Sequence, residues 1–203
     1  MLFNSLPFLI FLPTVVVLYY LLPKNTRWFL LLLASYFFYG FWKIEYLSLI
    51  VISTTTDYFA ARLIYSSKAQ VKRKLALAFS LSMNLGLLAF FKYSGWFIED
   101  VANPVGLLGD DVSLKLMRFM SFALPVGISF YTFQTMGYTI DVYYGKATPE
   151  RNPLKFALFV SYFPQLVAGP IERFNTLMPQ LNREVSYDYR NIHHGARYIL
   201  YGF

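Results

Sequence analysis

The stretch that decides the fold covers residues 124–174 and reads LPVGISFYTFQTMGYTIDVYYGKATPERNPLKFALFVSYFPQLVAGPIERF. It contains most of two apolar runs, residues 119–140 and 156–171, which are joined by a short polar link. Neither run contains a charged residue, and the first is long enough to cross a bilayer as a helix. The pattern therefore predicts an integral membrane protein.

Pro164, Gly169 and Pro170 interrupt the second apolar run. Proline removes a backbone donor, and glycine loosens a helix. Broken backbone at membrane depth is stable only where protein or water satisfies the freed groups. Two interpretations stay open: a broken or re-entrant element inside the protein at the wall of a cavity, or a helix that ends at the membrane interface near Pro164.

The composition extends this prediction to the whole chain of 203 residues, which is 57% hydrophobic and 14% charged. Its apolar residues form long blocks and not amphipathic stripes, so the expected fold is all-α, a polytopic transmembrane bundle of about five to six membrane segments. A signal peptide is disfavoured because no basic residue precedes the first block. The four remaining blocks are residues 6–22, 28–42, 46–65 and 75–91.

The basic residues predict the orientation of this bundle. The net charge of +7 is spread over short connectors, and this pattern argues against a nucleic-acid partner. Residues 62–74 hold several of these basic residues and no acid, so the positive-inside rule assigns them to the cytoplasm. The N-terminus and the acidic loop are then outside, in a multi-pass protein of the inner (plasma) membrane. The acidic loop carries Glu99, Asp100, Asp110 and Asp111.

Polar residues inside the apolar blocks are the next candidates for function. Asp57 follows three threonines, and it either orients a substrate or neighbouring helix from a polar cavity, or ends a helix near the interface. We favour the second interpretation. Asn84 and Gln134 are predicted to hydrogen-bond across helices.

His193 and His194 are adjacent, and side chains one residue apart on a helix point about 100° apart. They cannot share a metal ion as residues four apart do, and the chain has no cysteine, so no metal site is predicted. We favour an interfacial cap or a solvated helix start, while a general-base role for one imidazole stays open.

Five motifs, spread in order over nearly the whole chain, resemble the membrane-bound O-acyltransferase family, in particular its alginate O-acetyltransferase type. They are ASYFFY (34–39), FFKY (90–93), LPVGISFYTFQ (124–134), YTIDVY (138–143) and FPQLVAGPIERF (163–174). The resemblance implies that residues 1–203 are the N-terminal portion of a single membrane domain, truncated at its C-terminus. It also implies transfer of an acetyl group from a cytoplasmic donor to hydroxyls of an exported, alginate-like polysaccharide.

By this resemblance the co-substrate is an acyl donor such as acetyl-CoA, and no cofactor is bound. The expected partners are membrane lipid, the polysaccharide acceptor, and periplasmic or extracellular acetylation proteins. A D-alanyl or other acyltransferase of the same superfamily is an alternative. A non-catalytic membrane scaffold or a transporter component is another.

The family's catalytic histidine belongs to a segment expected downstream of Phe203, and neither histidine of this chain matches it. We therefore assign no catalytic residue and expect the chain alone to be inactive. The predicted residues build the wall of the site: the prolines and the glycine shape the backbone, and Glu172 or Arg173 fixes an adjacent loop. These candidates are Pro164, Gln165, Gly169, Pro170, Glu172 and Arg173.

Overall fold

A computed structural model describes residues 3–41, 43–96, 127–166 and 169–202. Within these ranges the regular secondary structure is helical and no strand occurs, which confirms the predicted all-α class. The predicted acidic loop and the first part of the run at residues 119–140 lie outside the described residues.

The helices are numbered here in chain order. They are α1 (Leu6–Leu21), a short 3-10 helix (Lys24–Thr26), α2 (Arg27–Gly40), α3 (Glu45–Ser66), α4 (Gln70–Trp96), α5 (Ile128–Tyr143), α6 (Pro153–Ser161), α7 (Phe163–Leu166), α8 (Phe174–Asn182) and α9 (Tyr189–Gly202).

Two segments of the described chain are long and apolar enough to cross a membrane, Glu45–Ser66 and Gln70–Tyr93. The apolar helix α1 is shorter, with 16 residues. Large apolar side chains point outward from all three helices; Leu21, Phe59 and Phe79 are 75%, 64% and 64% exposed. Such a surface is expected of helices that contact lipid or further protein.

The start of α4 differs from the prediction. The apolar block was placed at residues 75–91, with the basic residues before it in a connector. Instead α4 begins at Gln70, so Lys72, Arg73 and Lys74 are helical and the loop is short. Lys and Arg are good helix formers whose long stems carry the charge back to the interface, and the apolar pattern alone does not register this.

Helix α3 lies at the centre of the bundle and packs against α4, α5 and α6. Helix α2 packs against α6 on one side and α1 on the other. The largest part of the core lies between α3, α5 and α6, where Ile50, Tyr131 and Phe156 are almost fully buried. This arrangement places α6 in the interior.

The predicted interruption of the second apolar run is observed. Helix α6 ends at Ser161, Tyr162 leaves the helical conformation, and α7 resumes for one turn with Pro164 near its start. The backbone N–H of Phe163 donates to Ser35 Oγ of α2 at 3.1 Å, and this hydroxyl donates to Leu31 O at 2.7 Å. Since Ser161, Phe163 and Ser35 are buried, the chain breaks inside the protein.

Candidate functional site

A cluster of polar side chains lies buried between α3 and α4. Asp57 is fully buried, and its carboxylate accepts hydrogen bonds from Ser80 Oγ and from Asn84 Nδ2, the latter at 2.8 and 2.9 Å. Asn84 Oδ1 accepts in turn from Ser53 Oγ at 2.6 Å. Thr135 of α5 lies close to the carboxylate, and its own hydroxyl donates to Thr132 O at 3.1 Å. We call Ser53, Asp57, Ser80, Asn84 and Thr135 the polar cluster.

The placement of Asp57 near a helix end was wrong. The residue lies within α3, which continues to Ser66, and it faces α4 and α5. Asp57 is inside the block predicted at residues 46–65, and the polar positions form one face of a helix that continues beyond it. A spacing of four residues carried the signal: Ser53 and Asp57 share a face of α3, and Ser80 and Asn84 share a face of α4.

The polar cluster is suited to positioning helices. Both oxygens of the Asp57 carboxylate are hydrogen-bonded, and the donors come from the neighbouring helix α4. In a bilayer such directional bonds fix how one helix is rotated against the next. Asp57 therefore orients a neighbouring helix, which was the less favoured of its two predicted roles.

The prediction for both buried amides is confirmed. Asn84 joins α4 to α3, and Gln134 Nε2 of α5 donates to Phe159 O of α6 at 3.0 Å. The second bond ties the interior helix to the core just before the break that ends α6.

Three of the predicted wall residues form one compact turn after α7. Gln165 is buried, and its Nε2 donates to Pro170 O at 2.9 Å. The N–H of Gly169 donates to Gln165 O at 2.9 Å, and a Cβ on Gly169 would stand 2.8 Å from Gln165 Cα. The glycine is required by this close approach. Pro164 and Pro170 themselves are exposed.

The turn is anchored at its far end by Arg173, whose Nη1 lies 3.6 Å from Asp141 Oδ1 near the end of α5. Asn175 Nδ2 donates to Lys146 O at 2.7 Å, so the same segment holds the loop after α5. Asp141 belongs to α5 and not to a loop, so the fixing of an adjacent loop by Glu172 or Arg173 stays a prediction. Glu172 is half-buried.

The turn also touches the start of α5. Gly127, just before Ile128, has a left-handed φ of 81°, and a Cβ there would stand 2.8 Å from Leu166 O. Two described pockets lie elsewhere, one beside Arg62 and Arg151 and one beside Lys24 and Lys155. A cavity wall at the turn therefore stays a prediction.

Relatives with established names align with the chain throughout its length. Over 205 residues it is 34% identical to the probable alginate O-acetylase of Pseudomonas syringae pv. tomato, an alignment that covers 100% of the chain and 39% of that protein. The protein of the same name in Pseudomonas aeruginosa is 37% identical over 90% of the chain and 35% of its own length. The peptidoglycan O-acetyltransferase of Helicobacter pylori is 34% identical over 80% of the chain and 34% of its length.

The chain belongs to the membrane-bound O-acyltransferase family. This confirms the resemblance predicted from the five motifs. The chain spans less than two fifths of the length of the curated relatives it matches, 39% in the first case. No family model matches it, and no solved structure matches it significantly.

In this membrane-bound O-acyltransferase chain the two histidines lie near the start of α9 and are exposed. Their ring centroids are 6.1 Å apart with an interplanar angle of 75°, and Tyr189 stacks on His193. Among the described residues no group of three or more His, Cys, Asp or Glu side chains is placed to hold a metal ion. The solvated helix start predicted for His193 and His194 agrees with their exposure.

Proposed function

We propose that this chain is part of a membrane-bound O-acetyltransferase that acts on an exported polysaccharide. The observation that carries the proposal is the alignment along the full chain, at 34% identity, with a protein named as an alginate O-acetylase. The acyl donor is cytoplasmic, with acetyl-CoA as the expected co-substrate. The whole enzyme is a multi-pass protein of the inner membrane, and residues 1–203 form one portion of its single membrane domain.

Acetyl transfer to a sugar hydroxyl needs a base for the hydroxyl proton, donors for the developing oxyanion, and a site from which water is excluded. We propose that the described helices contribute to the last of these. Gln165, Gly169 and Pro170 approach one another closely and are joined by hydrogen bonds, which supports a role for them in the wall of a dry passage. The base is expected downstream of Phe203, and acetylation proteins outside the membrane are the expected partners.

A second acceptor is favoured by a specific observation. One relative is named as a peptidoglycan O-acetyltransferase, at 34% identity over 188 residues. Both names describe O-acetylation of a glycan, so the two candidates share a reaction and differ in the acceptor. We rank the alginate-like acceptor first because the relatives with that name align over more of the chain.

A chimera tests the reaction. The segment of the Pseudomonas aeruginosa relative that aligns with this chain is replaced by the chain, in a strain that lacks the native gene. We expect acetyl groups to return to the secreted alginate. The same chain expressed without the rest of the relative should give no acetylation, because it lacks the catalytic segment.

A chimera that reaches the membrane at the normal level but leaves the alginate without acetyl groups would refute the proposed acceptor. The matching exchange in the Helicobacter pylori relative, with acetylated peptidoglycan as the readout, then separates a wrong acceptor from a wrong reaction. Acetyl transfer by the 203-residue chain alone would refute the placement of the base outside it.

A further inference from the structure

A pocket that the acetyl-transfer proposal does not use lies between the turn after α1, the start of α2 and the end of α8. Its volume is about 310 Å³. Four basic side chains line it, against one carboxylate among its lining residues. These charged residues are Lys24, Arg27, Lys155, Arg183 and Glu184. A pocket with this excess of positive charge attracts anions.

Two of the basic groups are held in place by neighbouring side chains. The Arg27 guanidinium lies 4.9 Å from the centre of the Tyr19 ring, and its Nε donates to Leu22 O at 3.2 Å. Lys155 Nζ donates to Asn182 Oδ1 at 2.7 Å and lies 5.8 Å from the Trp28 ring centre. Because these groups are positioned before any ligand arrives, binding costs little side-chain entropy.

The other two basic groups differ in their contacts: Lys24 has an ion-pair partner, whereas the Arg183 side chain has none among the described residues. Lys24 Nζ forms an ion pair with Glu184 at 2.8 Å, and the hydrogen bond from this lysine lowers the pKa of the Glu184 carboxyl. The Arg183 side chain is exposed and makes no hydrogen bond or ion pair with any residue that the structure describes. Its guanidinium is thus available to a ligand, and Glu184 is the group that opposes an anion.

The contacts of α6 place this pocket on one face of the bundle. Lys155 is in the first turn of α6, and the carbonyl of Arg151 just before it accepts from Tyr58 Oη at 2.7 Å and from Arg62 Nη1 at 3.5 Å. Arg62 begins the basic stretch that the positive-inside rule assigns to the cytoplasm. The pocket is therefore on the cytoplasmic face, at the level of Tyr19 and Trp28, which are typical of the membrane interface.

We propose that this pocket binds a phosphate group, supplied by the headgroup of an anionic membrane lipid. Basic pockets between helices on the cytoplasmic side are suited to such headgroups, and Arg and Lys bind phosphate oxygens through charge-assisted hydrogen bonds. The interfacial depth favours a lipid over a soluble phosphate compound. The proposal rests on the membrane placement in the proposed function, and it adds a lipid site that is separate from acetyl transfer.

Lipid binding to the purified chain tests the site, with dioleoylphosphatidylglycerol and dioleoylphosphatidylcholine titrated into detergent-solubilised protein and counted by native mass spectrometry. We expect phosphatidylglycerol to bind more tightly. Arg183→Gln should weaken that binding about fivefold, the usual effect of one basic residue near an anionic lipid. Lys68→Gln is the matched control, since it removes one exposed charge from the short loop on the same face and should change binding less than about twofold.

Weaker lipid binding by a variant could also result from misfolding, so a variant that is expected to bind more tightly serves as a second test. Glu184→Gln removes the opposing carboxylate and frees Lys24, so phosphatidylglycerol should bind about threefold more tightly. Equal affinities for the two lipids, or equal weakening by Lys68→Gln and Arg183→Gln, would overturn the site.

Inorganic phosphate separates the two sources of the ligand. If millimolar phosphate does not displace phosphatidylglycerol, the lipid headgroup is the ligand; displacement would reassign the pocket to a soluble phosphate compound. Because lipid binding is read without acetyl transfer, two inactive chimeras, with alginate and with peptidoglycan as the acceptor, whose chain still selects phosphatidylglycerol would refute the proposed acetyl transfer and leave this site standing.

Discussion

Two helix interfaces of this chain are built in opposite ways. Between α3 and α4, a fully buried carboxylate accepts hydrogen bonds from Ser80 and Asn84 of the neighbouring helix. Between α1, α2 and α7, aromatic rings pack on one another; Phe11 and Phe38 each contact Phe163, at centroid distances of 5.2 and 5.6 Å. Lipid tails are as apolar as phenylalanine, so ring packing competes with lipid at every contact, whereas a buried hydrogen bond does not.

The polar contacts specify the arrangement of the helices more strictly than the aromatic contacts do. The polar cluster fixes the rotation and the height of α3 against its neighbours, because donor and acceptor must meet at one place. The aromatic interface gains from close packing but tolerates small shifts. We therefore expect the chain to depend more on Asp57 than on any ring of the aromatic interface, although a soluble protein would show the reverse.

The largest expected effect comes from Asp57→Ala, which leaves the Ser80 and Asn84 donors unsatisfied in the core. We expect a loss of about 3 kcal/mol in the free energy of unfolding, measured by titration with sodium dodecyl sulfate in mixed micelles. Asp57→Asn keeps the shape and one acceptor, and should lose about 1 kcal/mol. A loss from Asp57→Ala no larger than that from Phe38→Ala would break the comparison.

The second largest effect is expected at Gly127, just before α5, where the backbone closely approaches α7 and connects the two interfaces. Gly127→Ala adds a Cβ 2.8 Å from Leu166 O at a left-handed φ of 81°, and we expect a loss of about 2 kcal/mol in the same titration. Gly86→Ala is the matched control, since nothing lies within 4 Å of its Cβ and alanine favours the helix. Equal effects of the two substitutions would contradict a close approach at Gly127.

Phe38→Ala should have a smaller effect, although this ring is 1% exposed. Lipid solvates the unfolded side chain, so the transfer energy is not lost and the packing contribution remains, about 1 kcal/mol. Phe38→Leu should retain most of the stability. A loss of more than about 3 kcal/mol, as in a water-soluble core, would show that the aromatic interface also specifies the fold.

The smallest effect is expected at the exposed ion pair of Lys24 and Glu184, outside both interfaces. Since Lys24 lowers the pKa of Glu184, the pair contributes stability above the ordinary carboxyl pKa and loses it as the pH falls through the lower, folded-state value. We expect Glu184→Gln to leave the unfolding midpoint at pH 7 unchanged within error. A clear shift of that midpoint would contradict solvent screening of the pair.

The helical class and the helix break were predictable from the sequence because both depend on local properties. Uncharged runs specify helices in lipid, and Pro164 with Gly169 marks broken backbone wherever the chain folds. The cross-helix roles of Asn84 and Gln134 followed from the cost of an unpaired amide in an apolar environment.

The hydrogen-bond partners of Asp57 were not predictable by the same reasoning, because they depend on which helix packs against α3. The partners Ser80 and Asn84 are visible in the sequence, but the pairing of the two faces arises from tertiary packing. The anion pocket has the same origin, since Lys24 and Arg183 are far apart in the chain and meet where α8 ends beside α2. The periodicity of a sequence predicts which residues share a face of a helix, but it does not predict which faces of different helices pack together.

The hydroxyl of Ser35, which accepts the hydrogen bond at the break after α6, is synthesised before the break itself. Helix α2 is synthesised long before Phe163, so the acceptor for the freed N–H is in position when the broken segment arrives. A break in the first helix of a nascent protein would meet bare lipid and remain unsatisfied. Helix α2 thus acts as a template for the break after α6, which lies in a part of the chain that emerges after its partner.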